Sequence, residues 1–238
     1  MSKIKRIINS ILCILFPHTC PFCGKVEGQP ICQKCLEQIE YIKEPRCKRC
    51  GKPLRYAEHE YCYDCAHQNH YYEEGRSLWV HKPPVTWSIY QFKYHNRRIY
   101  GVYYGEELAK HYGELLHHWG VELLIPIPLH KKKYRKRGYN QAEIIAKQLS
   151  IQTGIPMSTT AVFRQRYTKP QKVLDHRTRS RNMNGAFRLA KTWKGSLCVA
   201  LIDDIYTTGS TIDAVARLFI EAGVEKVYFL TVSIGQGF

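Results

Sequence analysis

At 238 residues the chain has room for one medium-sized domain and a small companion. Apolar residues make up 44% of it and no run of about eighteen apolar residues occurs, which argues against disorder and against a membrane-crossing helix. The formal net charge of +16, from 36 Lys and Arg against 20 Asp and Glu, favours anionic partners: nucleic acid, phosphorylated small molecules or an acidic membrane face.

Residues 1–16 read as an amphipathic helix. Lys3, Lys5 and Arg6 precede the apolar stretch Ile7–Phe16, and Ile4, Ile8, Ile11, Leu12 and Leu15 fall on one helical face. The stretch resembles a short signal peptide. It has no small-x-small cleavage site, however, and runs straight on to Cys20. The reading is a helix that packs on the body of the protein, with contact to a membrane surface as the alternative.

Residues 17–75 form the second unit. Four Cys-x-x-Cys pairs fall there: Cys20/Cys23, Cys32/Cys35, Cys47/Cys50 and Cys62/Cys65. Such spacing lets two thiolates grip one metal from a tight turn, and two turns complete a tetrahedral four-thiolate site. Four pairs therefore imply two structural zinc sites. Sequential pairing is simplest, and crossed pairing is the alternative. Gly24 and Gly51 follow the second cysteine of two pairs, where a knuckle needs an unhindered backbone. A disulfide or thioredoxin-like reading is disfavoured, because no strand precedes any pair as that motif requires. Cys13 and Cys198 read as plain buried thiols.

The third unit, 76–238, alternates helical and strand patterns. Pro83-Pro84 suits a helix start, and Val85, Ile89 and Phe92 recur at helical spacing. A second helix follows Gly101, with Leu108, Tyr112, Leu115 and Trp119 on one face. Val121–Ile127 reads as a buried strand ended by prolines. The very basic segment 130–137 reads as a loop, followed by a helix over about 139–152 that buries Ala142, Ile145, Ala146 and Leu149. Residues 164–191, with nine Lys and Arg against one Asp, read as a long exposed loop. Leu197–Ile202 is a continuous apolar run of the kind found in central parallel strands. Ser210–Ala222 reads as a helix stopped by Gly223, and Val227–Ile234 as a last strand. The alternation argues for an open parallel α/β sheet preceded by a small zinc-ribbon domain.

The strand over 197–202 delivers Asp203 and Asp204 to its carboxyl end. Thr207, Thr208, Gly209, Ser210 and Thr211 then lead into a helix N-terminus. Backbone N–H groups there, with small hydroxyl side chains, suit a phosphate dianion. Carboxylates beside such a loop suit the hydroxyls of an adjacent ribose. An ordinary strand–turn–helix junction with Asp and Thr as caps is the simpler alternative, and a thirteen-residue pattern argues against it.

Val199-Ala-Leu-Ile-Asp203-Asp204-x-x-Thr207-Thr208-Gly209-Ser210-Thr211 resembles the phosphoribosyl diphosphate (PRPP) signature of type I phosphoribosyltransferases. Ile125-Pro-Ile-Pro-Leu129, Arg135-Lys-Arg-Gly138-Tyr-Asn140-Gln141-Ala-Glu143 and Arg179-x-Arg181-Asn182-x-x-Asn184-Gly185-Ala186-Phe187 narrow the resemblance. With the cysteine pairs, the chain resembles the ComF family of competence-associated proteins over nearly its whole length. That resemblance implies a phosphoribosyltransferase-type fold and binding of PRPP with magnesium. Asp203 and Asp204 would meet the ribose hydroxyls, and Thr207 to Thr211 the 5-phosphate. The turn after Pro128 would face the diphosphate, with Lys131 as a charge partner, and the basic 164–187 stretch would close over substrate. It also implies a cytoplasmic protein, peripheral at the inner face of the membrane, that assists single-stranded DNA uptake in natural transformation beside a translocation machinery that includes a helicase. Tyr206 departs from the small aliphatic residues commoner in the motif and would alter what sits beside the ribose.

Six Lys and Arg in 130–137, with Tyr134, Tyr139 and Tyr167 nearby, give a weak single-strand-binding pattern; a solvated charged loop is the alternative. The eleven histidines show no ligand spacing and receive no role. Three function classes stay open: a DNA-uptake factor that binds PRPP, an active transferase on an unidentified acceptor, and a structural zinc adaptor. No base-reading residue or general base is identifiable.

Overall fold

The computed structural model describes residues 19–27, 29–166 and 185–235. The expected helix over 1–16, Cys13, Tyr167 and residues 167–184 of the basic stretch lie outside them. In chain order the elements are α1 (Gln33–Gln38), α2 (Tyr63–His67), β1 (Glu74–Val80), α3 (Val85–Tyr94), α4 (Ile99–His118) and β2 (Leu123–Pro126). They continue with α5 (Lys131–Arg137), α6 (Gln141–Thr153), β3 (Val162–Arg164), β4 (Phe187–Leu189), β5 (Cys198–Tyr206), α7 (Ser210–Glu221) and β6 (Lys226–Ile234).

Four strands form one parallel sheet in the order β1-β6-β5-β2. The open parallel α/β architecture preceded by a cysteine ribbon is as the sequence pattern implies. The central strands are apolar on both faces, since both are covered. Ala200, Ile202, Leu230 and Val232 face Leu108 and Leu116 of α4 and Ile145 and Leu149 of α6. Val199, Leu201, Val227 and Phe229 face Ile212, Val215 and Phe219 of α7.

The ribbon straddles the β1 edge of this sheet. Phe22, Cys20, Cys32 and Cys35 join the core on the α4 side, beside Trp79. Cys47, Cys50, Cys62 and Tyr72 join the core on the α7 side. The connecting segment covers the outer edge of β1: Ile42 N–H donates to Leu78 O at 3.1 Å and Val80 N–H to Glu40 O at 3.1 Å. The unpaired edge that an open sheet would expose is thereby closed.

Several elements differ from their sequence readings. β1 was not legible, because Glu74-Gly-Arg-Ser-Leu-Trp-Val carries neither a period-2 pattern nor a continuous apolar run. Segment 131–137 is a short helix, not a loop: the His130 side chain accepts from Lys132 N–H, and Gly138 in the left-handed region ends it. α4 begins at Ile99, two residues before Gly101, and buries Leu116 where Leu115 was expected; Leu115 is half-buried. The ends of the expected 164–191 loop are an antiparallel hairpin, β3 with β4, that buries Val162 and Phe187.

Gly105 is where α4 meets α6. A Cβ there would lie 2.6 Å from Gln148 Cβ and 2.7 Å from Ile145 O. Alanine would gain about 1 kcal/mol of helix propensity. Overpacking against backbone costs about 1–3 kcal/mol and outweighs that gain. Gly105→Ala is therefore expected to lower stability by a net of about 1 kcal/mol, read by urea unfolding.

Candidate functional site

Two cysteine groups assemble, and they pair sequentially. Cys20, Cys23, Cys32 and Cys35 bring their sulfurs within 4.8 Å of one another, as do Cys47, Cys50, Cys62 and Cys65. Each half-site has a local cause. In the first of each two pairs a knuckle closes by Cys20 N–H to Lys25 O (2.7 Å) and Gly24 N–H to Cys20 O (2.9 Å), repeated at Cys47, Lys52 and Gly51 (2.8 and 3.0 Å). Gly24 and Gly51 take φ of +75° and +74°, which a side chain would strain. In the second of each two, Cys32 and Cys62 cap α1 and α2, and Cys35 and Cys65 follow within the first turn.

The donor set fits zinc. Four thiolates about 2.3 Å from one ion lie about 3.8 Å apart; the Cys23–Cys32 and Cys50–Cys62 sulfur pairs are each 3.6 Å apart. Every cysteine among the described residues is a free thiol. Cys198 is separate, buried against Trp119 O at 3.4 Å, and burial pushes its thiol up to about 11.

The second candidate site lies at the carboxyl edge of the sheet. β5 runs on through Asp203 and Asp204 to Tyr206. Successive residues of a strand point to opposite faces, and cations act on the two carboxylates from two elements. Asp204 Oδ2 is 2.8 Å from Lys93 Nζ of α3. Arg164 of β3 acts on Asp203 from the hairpin side. Asp203 Oδ1 accepts from Asp204 N–H at 2.8 Å. Burial, and then the Asp204 charge, push the Asp203 carboxyl up to about 7; the charges of Lys93 and Arg164 oppose that rise. Two more groups complete the surroundings. Burial pushes Lys133 down to about 8, aided by the charges of Arg164, Arg137 and Lys93 and opposed by Asp204. His81, just after β1, holds Nδ1 2.9 Å from Ser233 Oγ and is lowered by burial and then by Lys93.

The loop after β5 enters α7 through Gly209, whose φ of +76° places the first helical N–H groups at the sheet edge. Thr208 Oγ1 and Ser210 Oγ are 2.9 Å apart. Gly209 is required for room as well: a Cβ would sit 2.5 Å from the Tyr206 hydroxyl. Tyr206, the departure from the motif, turns into the core. It is buried, stacked on Phe229 with centroids 4.8 Å apart, and its hydroxyl is 2.7 Å from that of Tyr72.

Other placements differ from the sequence reading or were given no role by it. Lys131, the expected charge partner, is exposed, and Lys133 turns inward in its place. His70 Nδ1 lies 2.6 Å from Asp213 Oδ2 in the first turn of α7, and Asp213 Oδ1 accepts from Tyr71 N–H at 3.1 Å. Asn140 and Gln141 are buried positioning residues: Asn140 caps α6 through Ala142 N–H and donates to Ile127 O at 3.0 Å.

Purified protein is expected to carry two zinc ions per chain, and Cys62→Ser with Cys65→Ser one, by elemental analysis. The second centre, Tyr72, Tyr206 and Gly209 form one packed series, so loss of that centre should speed amide exchange across 206–213. Loss of the first, by Cys20→Ser with Cys23→Ser, should leave 206–213 protected.

A carboxyl raised in the folded state binds more protons there than in the unfolded chain. Asp203 therefore costs stability as pH rises from about 4 through 7, and the loss is complete above 7. Asp203→Asn should be the more stable protein at pH 8, by on the order of a few kcal/mol, with the gap closing towards pH 4 in ligand-free denaturation.

A family model described as a double zinc ribbon domain matches residues 11–66. The chain is similar to Competence protein F of Haemophilus influenzae, 39% identical over 108 residues, 44% of this chain and 47% of that protein. It is similar to the DNA utilization protein YhgH of Escherichia coli K12, 32% identical over 151 residues, 61% of this chain and 65% of that one. The chain thus spans about half to two thirds of the length of these two relatives. The match to Competence protein ComFC of Bacillus subtilis is 25% identical over 228 residues, 93% of this chain and 76% of that protein. A solved purine phosphoribosyltransferase from Pyrococcus horikoshii matches with a TM-score of 0.34 and 15% identity, over 56% of this chain and 86% of that one. The paired cysteine ribbon and the similarity to competence and DNA-utilization proteins support the resemblance to the ComF family.

Proposed function

We propose that the protein binds PRPP with magnesium at the carboxyl edge of its sheet and handles single-stranded DNA during uptake. The observation that carries the PRPP reading is the meeting of Asp203 and Asp204 with the Thr207–Thr211 loop at one strand end, ringed by Lys93, Lys133 and Arg164. A ribose 5-phosphate needs hydroxyl acceptors beside an anion cradle, and its diphosphate needs cations beyond them.

In this reading Asp203 and Asp204 accept from the ribose hydroxyls, and the N–H groups of Gly209, Ser210 and Thr211 hold the 5-phosphate. Lys133 and Arg164 face the diphosphate. Two crowded carboxylates, one pushed up to about 7, suit a divalent cation, which supplies charge neutralisation when bound. The Lys93–Asp204 pair holds the edge together and opens when a cation-bearing ligand arrives.

The DNA part of the reading is supported by the names of the relatives, competence proteins and a DNA utilization protein, and by the basic surface of α5. We take the chain to divide into an N-terminal helix (1–16), the ribbon (17–75) and the PRPP-binding domain (76–238). It acts on the cytoplasmic side, peripheral at the membrane, beside the translocation machinery. Turnover of PRPP is a separate question, answered by diphosphate release across a panel of acceptors.

Calorimetry tests the ligand. Asp203→Ala with Asp204→Ala should weaken PRPP–magnesium binding by about a hundredfold or more, since each charge-assisted hydrogen bond removed is worth about 1.5–3 kcal/mol. Equal affinity in parent and double variant would refute the assignment. Replacing Lys131, Lys132 and Lys133 with Ala should flatten the salt dependence of single-stranded DNA binding, by about 0.7 in log–log slope for each phosphate no longer neutralised. An unchanged slope, together with abolished PRPP affinity, would show that these lysines serve only the diphosphate.

A further inference from the structure

α3 turns an aromatic face outward. Val85, Ser88, Ile89 and Phe92 are buried, while Trp87, Tyr90 and Tyr94 on the opposite side are 39%, 52% and 54% exposed. Positions 87, 90 and 94 lie within one stripe of a helix. A solvent-facing helix ordinarily carries charged residues there, and a contiguous exposed aromatic stripe marks a contact surface.

The rings form one cluster, each tilted by about 50° to the next. Tyr90 and Tyr94 have centroids 5.0 Å apart, and His95 lies 5.3 Å from Tyr90. Arg137 of α5 lies over the Tyr94 ring at 5.0 Å, joining the stripe to the cationic helix Lys131–Arg137. At the other end, Trp87 packs at 3.4 Å from the place a Cβ would take on Gly24, in the first cysteine knuckle. Lys93, beside Tyr94 in sequence, reaches Asp204.

Charge decides the occupant. No acidic residue occurs between Glu74 and Glu106, or between Glu122 and Glu143, so the segments that build this face carry cations only. An apolar protein helix would gain nothing from that field, and a duplex would hide its bases from the rings. A polyanion with exposed flat bases matches both features.

We propose that the Trp87–Tyr90–Tyr94 face is a base-stacking platform for single-stranded nucleic acid, whose phosphates run along α5. The proposal rests on the single-strand reading above and adds the surface that carries it. Stacking on an aromatic ring is indifferent to sequence, so the platform binds without strong base preference.

The test compares parent, Tyr90→Ala with Tyr94→Ala, and Tyr90→Phe with Tyr94→Phe. Fluorescence anisotropy would use labelled oligothymidine of about twenty nucleotides, an abasic strand of equal length and a duplex. The Ala pair should bind oligothymidine about tenfold or more weakly, with its salt slope and its abasic-strand affinity unchanged; the Phe pair should match the parent. A Leu pair, which keeps apolar volume without a π face, guards against loss of fold and should behave as the Ala pair. Unchanged oligothymidine affinity in the Ala and Leu pairs would overturn the platform and leave the single-strand reading standing. Equal weakening on the abasic strand or the duplex would overturn it also, since the face would then serve phosphate alone. Failure of the parent to bind any single strand would overturn both.

Discussion

A parallel sheet can leave neither of its faces nor a long edge open to water. Here that constraint organises the whole molecule. α4 and α6 cover one face and α7 the other, which leaves the outer edge of β1 exposed. The cysteine ribbon covers that edge, with residues 40–42 paired along β1 and one metal-ligand cluster packed on each side of the sheet. A segment of this size has little apolar core of its own. The metal centres give it a fixed shape, and that shape seals the sheet.

The same parallel arrangement collects the carboxyl ends of its four strands at one edge. Asp203 and Asp204, His81, Ser233 and the loop to α7 therefore meet there although they are far apart in sequence. The edge concentrates charges of both signs. Burial and the neighbouring Asp204 charge raise the cost of ionising Asp203, and the charges of Lys93 and Arg164 offset it. Under the proposed function, a ligand that carries both phosphate and a cation completes this arrangement.

What could be read from the sequence was what chemistry writes locally. A Cys-x-x-Cys turn and a strand–Asp-Asp–glycine loop are each complete within a dozen residues, so spacing alone singled out both as candidates. Lys93, Lys133, His70 and Tyr72 were not legible, because their partners lie on other elements and no period links them. The helix at 131–137 hid for an electrostatic reason: Lys131–Arg135, Lys132–Lys136 and Lys133–Arg137 set like charges four residues apart, which disfavours a helix. His130 and Gly138 cap it nonetheless. Strand β1 hid because Gly75 and Arg76 interrupt its pattern; Gly75 is there because Phe229 fills the space, a Cβ standing 2.0 Å from its ring.

The buried hydroxyl pair of Tyr72 and Tyr206 joins residues 134 positions apart in the chain. Neither tyrosine can change alone without stranding the other's hydroxyl in the core, where an unpaired polar group costs about 1–3 kcal/mol. Tyr206 in turn fixes glycine at 209. The ribbon and the domain are therefore not interchangeable parts. A segment before β1 that carried a different residue at 72 would arrive mismatched to the sheet, because the Tyr206 hydroxyl would lose its partner.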